Sequence, residues 1–129
     1  MKSAGMCVLV CGGRNFGDLS LLRTTLDRIH AEHPIAVIIH GGARGADVLA
    51  RFSAVSNGIE VKVFHADWEK FGRAAGPIRN QQMIDEGKPD LVVAFDGGAG
   101  TADMVRRAVK AGIVVRHPQK GKKTEQAIY

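Results

Sequence analysis

The chain has 129 residues, 45% hydrophobic and 24% charged, with a formal net charge of +5. That balance fits one folded domain rather than a disordered or low-complexity segment. No apolar run approaches the roughly 20 residues of a membrane-spanning helix, and the positive charge suits an anionic ligand.

The N-terminal "MKSAGMCVLVCGG" runs from a brief apolar stretch straight into a glycine turn. It reads as a first strand, Cys7 to Cys11, rather than a signal peptide. Cys7 and Cys11 lie about 13 Å apart along such a strand, too far for a disulfide, and no second cysteine pair exists for zinc. Both are expected as small core side chains in a reducing, cytoplasmic compartment. Leu19, Leu22, Leu26 and Ile29 then recur at helical spacing behind Asp18, a candidate N-cap. A second strand is expected over Ile35 to Ile39, and a second helix is marked by the apolar stripe Val48, Leu49, Phe52 and Val55. A third strand covers Val61 to Phe64. "ADWEKFGRAAG", residues 66 to 76, reads as a long polar loop. Pro77 to Glu86 form the next helix, with Gly87 just past its end. Strand Leu91 to Phe95 precedes a helix marked by Met104, Val105, Ala108 and Val109 and stopped by Gly112; strand Ile113 to Val115 follows. The closing residues, "RHPQKGKKTEQAIY", carry four cations and one acid and read as a basic, flexible tail over 117–129.

The strands are nearly continuous apolar runs alternating with helices. This predicts an α/β domain over residues 1–116: a Rossmann-like open parallel sheet of about five strands, order 3-2-1-4-5, with helices on both faces. The turns after its strands then share one edge. They read "CGGRNF", "HGGARGAD", "HADWEKFG" and "DGGAGTAD"; three carry glycine doublets, whereas connections on the opposite edge are ordinary. Turning alone does not explain that bias. Ligands of open α/β sheets bind outside the carboxyl ends of the strands, where strand order reverses. That point falls between strands one and four, so Gly12 and Gly13 should face Gly97, Gly98, Gly100 and Thr101 across a crevice. Gly41, Gly42 and Gly45 belong to the same edge.

Helix N-termini at such an edge offer unpaired N–H groups and partial positive charge. Arg14, Arg44 and Arg79 are candidates for forked bonds to phosphate. Thr101 is a candidate helix cap or a hydroxyl donor to phosphate. Asp47 and Asp103, read as first-turn residues, either stabilise helix dipoles or bind a ribose hydroxyl. Trp68 and Phe71 either stack on a base or pack against the domain. His40 and His65 end strands at this edge, but the five histidines show no metal-ligand spacing, and no metal site is expected. The absence of GxxxxGK[ST] and of a helix-opening GxGxxG argues against Walker-type hydrolysis and dinucleotide redox chemistry.

"GGRNF", "HGGARGAD", "ADWEKFGRAAGPIRNQQM" and "FDGGAGTADMV" resemble the signature blocks of the YspA-type (cpYpsA-related) branch of the SLOG superfamily, over nearly the whole chain to about residue 116. The resemblance implies a Rossmann-like domain for a nucleotide or a nucleotide-derived ligand such as ADP-ribose, and often a dimer. Lonely Guy phosphoribohydrolases, molybdenum-cofactor carriers and the DNA-processing protein DprA belong to the same superfamily. Its enzymes carry an RK pair followed by Met and a PGGxGTxxE block. Arg79 and Met83 match the first, with Asn80 in place of Lys. Gly97, Gly98, Gly100 and Thr101 match the second, with Asp96 for Pro and Met104 for the catalytic Glu. Methionine can neither transfer a proton nor stabilise a cationic sugar.

The expectation is therefore a binder of an AMP- or ADP-ribose-like ligand, a sensor or carrier with no required cofactor. The alternative is a nucleoside 5'-monophosphate phosphoribohydrolase using Arg79 with Asp103, Asp96 or Asp67. DprA-like nucleic-acid binding, motivated by the charge and the tail, is a third and less favoured option. A homo-oligomer, and no membrane association, complete the expectation.

Overall fold

The computed structural model describes residues 5–118. Its parallel sheet has the order β3-β2-β1-β4-β5, built from β1 (Met6–Cys11), β2 (Ile35–His40), β3 (Glu60–Val63), β4 (Leu91–Ala94) and β5 (Val114–Arg116). The helices are α1 (Leu19–Glu32), α2 (Ala46–Ser56), the one-turn α3 (Trp68–Phe71), α4 (Ala75–Gly87) and α5 (Ala99–Lys110). This is the α/β Rossmann-like architecture and strand order that the alternating pattern predicts. The basic segment from residue 119 onward lies outside the described residues. No helix among those residues is long and apolar enough to cross a membrane.

The pleat sends successive side chains to opposite faces of the sheet. Val8, Val10, Ile38, Leu91 and Val93 pack with Leu22, Leu26 and Ile29 of α1 and Ala50 and Ala54 of α2. Leu9, Cys11, Ile39, Val92 and Ala94 pack with Met83 and Ile84 of α4 and Met104 and Ala108 of α5. Both faces are covered, so the strands carry no polar alternation. The edge strand β3 does expose Glu60 and Lys62, charges that discourage further strand pairing.

Four local expectations are corrected. The stripe Val48, Phe52 and Val55 is more than half exposed, and the buried face of α2 is Ala46, Ala50, Ser53 and Ala54. Small side chains let α2 approach the sheet closely: a Cβ on Gly12 would lie 2.6 Å from that of Ala46. On α5, Val109 likewise points to solvent. Segment 66–76 is not a loop. Asp67 caps α3 through Lys70 N (3.1 Å), and a 3₁₀ turn, Gly72–Ala74, leads into α4. Gly87 is the last residue of α4, where a Cβ would lie 2.6 Å from Ile39 Cδ1, and Lys88 takes the left-handed cap conformation (φ 50°).

Cys7 and Cys11 are free thiols. Burial is the main cause raising their pKa values, to about 11 and about 12, so both stay protonated and unreactive.

Candidate functional site

The strand order reverses at β1, which pairs with β2 on one side and β4 on the other. The loops leaving β1 and β4 touch there. Gly13 N donates to Asp96 O at 2.8 Å, and a Cβ on Gly13 would lie 3.0 Å from Gly97 Cα. Beside them opens a crevice of about 1070 Å³, walled by the loops after β1, β2, β3 and β4 and floored by Cys11, Met83 and Met104.

The loop after β2 is shaped from beneath. Asp47 Oδ2 accepts from Gly41 N and Ala43 N, both at 3.1 Å. Burial pushes the Asp47 pKa up; those two bonds and the charge of Arg79 oppose it without cancelling it. Gly42 N donates to His40 Nδ1 at 3.0 Å, which leaves the ring proton on Nε2, buried and without a partner among the described residues. Burial first, then the charges of Arg51, His65 and Arg79, lower the His40 pKa to about 4. The ring is therefore neutral at ordinary pH.

Arg79 is fixed between two strand ends. Its Nη1 donates to Gly41 O at 2.6 Å and to Phe64 O at 3.5 Å. A Cβ on Gly41 would meet this guanidinium, so a side chain there would displace Arg79 from its present bonds. Arg79 Nε donates to Asn80 Oδ1 at 3.1 Å, and Nη2 takes no part in these bonds. Burial draws the guanidinium below the ordinary arginine pKa, with the charge of Asp47 opposing. Asn80 spends its amide inside the protein: Nδ2 donates to Gly100 O (3.2 Å) and Asp103 Oδ2 (3.0 Å). It joins the fixed arginine to the first turn of α5. Asp103 sits a turn further along α5 than a first-turn carboxylate would. Burial alone would raise its pKa, but bonds from Arg107 (2.8 Å) and Asn80, with the Arg106 charge nearby, bring it below the usual carboxylate range.

The helix N-termini differ in what covers them. Asp18 caps α1 through Leu21 N at 3.0 Å, and Asp67 caps α3. The amino end of α2 is plugged by the loop after β1, where Ala46 N donates to Gly13 O at 3.2 Å. Gly45 (φ 81°) makes that plug possible, since a Cβ there would meet the Gly13 and Arg14 carbonyls. The amino end of α5 has Gly98 as N-cap and no side-chain cap. Thr101 does not cap it; its hydroxyl occupies the place of a Cβ on Gly97. A Cβ added to Gly98 or Gly100 would meet nothing within 4 Å, and neither residue has a positive φ. Packing requires neither glycine, and Gly100 lies within the helix; Gly98, at φ −106° and ψ −141°, takes a backbone conformation outside the ordinary α and β regions that glycine tolerates best. Their effect is to leave open the space above the α5 N–H groups, beside the crevice.

The profile of the YspA, cpYpsA-related SLOG family (YAcAr) matches residues 6–71. The chain is also 38% identical over 116 residues to the Gene 61 protein of Mycobacterium phage D29, covering 84% of this chain and 92% of that protein. The chain belongs to the YAcAr family. In fold it is similar to DNA processing protein A (DprA) from Streptococcus pneumoniae, with a TM-score of 0.72 at 18% identity. That likeness covers 92% of this chain and 52% of the DprA chain, so the YAcAr chain spans about half the length of that protein.

Of the residues singled out from sequence, Gly12, Gly13, Arg14, Gly41, Gly42, Arg44, Asp47, Trp68, Arg79, Asn80, Gly98, Gly100, Thr101 and Asp103 all border the crevice of this YAcAr protein. Gly45 lies behind it, and Gly97 faces two neighbouring hollows. His65 borders the crevice, whereas His40 is buried. Trp68 stands half-exposed on the wall, and Phe71 lies outside it under the Lys70 ammonium. Arg73 and Arg106 also border the crevice and were missed from sequence. Arg106 was accessible through its i,i+3 spacing from Asp103; Arg73 was hidden in the segment read as loop. Met104 is 1% exposed within the α4–α5 core layer.

Proposed function

We propose that this protein binds a nucleotide-derived ligand of the AMP or ADP-ribose type in the crevice, as a sensor or carrier. The observation that carries the reading is the open amino end of α5. Glycine in a helix costs stability, and Gly100, the second residue of α5, is not needed for the backbone or its packing. An anion seated over the α5 N–H groups gives it a purpose. Arg14, Arg44, Arg73 and Arg79 around the same crevice supply the countercharge. Trp68 offers a face for a base.

The experiment is a calorimetric and thermal-shift panel of AMP, ADP-ribose, NAD and cyclic nucleotides. At about 100 times its Kd a specific ligand adds about 2.7 kcal/mol of stability. No shift with any of them would remove the reading.

A second reading, nucleoside-monophosphate hydrolysis, is favoured by one observation: the ionised Asp103 borders the crevice near Arg79. Against it, Asp103 is held by Arg106, Arg107 and Asn80, and Met104 offers no carboxylate. Release of ribose 5-phosphate from AMP, lost in Arg79→Ala, would establish the enzyme. Nucleic-acid binding is a further outcome to test, by retention of single-stranded DNA at low salt and its loss as salt rises. The exposed Val48, Phe52 and Val55 support a homo-oligomer in this reading, checked by sedimentation equilibrium.

A further inference from the structure

Arg106 belongs to α5, the helix whose amino end is open, and borders the crevice. Beside that amino end lies a smaller hollow of about 460 Å³, and Gly98, Thr101 and Arg106 line both spaces. Residues three, four and seven apart share a helix face, and their side chains tilt towards the amino end. Arg106 therefore shares a face with Ala99, Ala102 and Asp103 and leans back towards the first turn. Gly100 is six residues earlier, about 9 Å along the helix axis. An arginine side chain and one phosphate close that gap between them.

The guanidinium is loosely held. Its Nη2 donates to Asp103 Oδ1 at 3.4 Å, and the side chain is 70% exposed. Its Nε and Nη1 take no part in that bond. An exposed pair of this kind contributes little to stability. Asp103 does not depend on it either, because Arg107 Nε (2.8 Å) and Asn80 Nδ2 (3.0 Å) both donate to its other oxygen. Arg107 is committed to α4 as well, through Nη1 to Gln81 Oε1 at 2.9 Å. Of the two arginines on α5, Arg106 is the one free to turn.

Resting on the nucleotide-binding reading above, we infer that Arg106 is a phosphate-binding residue, which turns from Asp103 onto a phosphate seated over the α5 N–H groups. The move exchanges a weak, solvent-exposed pair for forked bonds to a phosphate. It needs no change in the backbone. Asp103 keeps Arg107 and Asn80 throughout, so no bare carboxylate is left facing the phosphate. Arg79 stays fixed between its two strand ends, and Arg106 supplies the mobile charge from the α5 side.

NMR-monitored titration of AMP, ADP-ribose and adenosine into the wild type, Arg106→Ala, Asp103→Asn and the double variant tests this. Arg106→Ala is expected to weaken AMP and ADP-ribose about tenfold, the scale of a hydrogen bond to a charged group, and to leave adenosine unchanged. The same loss is expected in the Asp103→Asn background, because the contact is with the ligand. An arginine that only screened Asp103 would lose its effect there. Arg106→Lys should recover part of the loss, since it keeps the charge without the fork. An unchanged melting temperature for Arg106→Ala separates lost recognition from lost structure. Phosphate ligands insensitive to Arg106→Ala, an equal loss for adenosine, or no effect in the Asp103→Asn background would overturn the assignment and leave the nucleotide reading in place. Failure of the wild type to bind either AMP or ADP-ribose would overturn both.

Discussion

Replacing Gly100 by alanine separates stability from function at one atom. Gly100 is the second residue of α5, and an added Cβ would meet nothing within 4 Å. Alanine in a helix is better than glycine by about 0.5–1 kcal/mol. For 129 residues, an unfolding entropy of about 2.1 cal/mol/K per residue sums to roughly 0.27 kcal/mol/K. The variant should therefore melt about 2–4 °C higher without ligand. The same methyl group intrudes into the space over the α5 N–H groups, so affinity for the nucleotide ligand should fall at least about tenfold, or 1.4 kcal/mol. Scanning calorimetry of the free protein and titration calorimetry with ligand read the two effects separately. A lower melting temperature would mean the space is not open. A higher one with unchanged affinity would mean that the opening is not where the ligand sits.

Asn80→Ala removes a buried amide that serves Gly100 O, Asp103 and Arg79 together. Leaving these groups underserved should cost about 2 kcal/mol, or about 7 °C in melting temperature, and should weaken ligand binding by loosening both Arg79 and the first turn of α5. His40 supplies a pH signature. Its pKa falls from 6.5 unfolded to about 4 folded, so the unfolded chain binds the extra proton. Its contribution is complete above about pH 6.5 and is lost as the pH falls towards 4, by about 3 kcal/mol across that window. Chemical denaturation at stepped pH should show this slope, and His40→Asn should flatten it.

The strands and their order were legible because both faces of the sheet are covered, which leaves apolar runs such as residues 91–94 with no polar alternation. The crevice was legible because glycines gathered after successive strands. The helices were harder. On α2 the most hydrophobic residues, Val48, Phe52 and Val55, face outward, because close packing on the sheet takes Ala46, Ala50 and Ala54 instead. Hydrophobicity ranks a side chain's transfer from water and says nothing of the room available to it. Segment 66–76 is polar and glycine-punctuated, yet Asp67 caps a turn of helix there. The distinct jobs of the glycines were invisible in sequence. Gly41 clears Arg79, Gly45 admits the plug over α2, and Gly98 and Gly100 leave space open. Those differences lie in what each absent Cβ would meet, which only the tertiary arrangement determines. Asn80 stands out in sequence only as a replacement for Lys in the RK pair; its three internal bonds make it a brace for the residues that face the crevice.

An amide-resolved NMR titration with ADP-ribose tests the binding site most directly. The largest shifts are expected at the amides of Gly98, Ala99, Gly100 and Thr101, with a second group at Gly13 and Gly42. Shifts confined to the outer faces of α1 and α2, or none at saturating ligand, would contradict binding at the open end of α5.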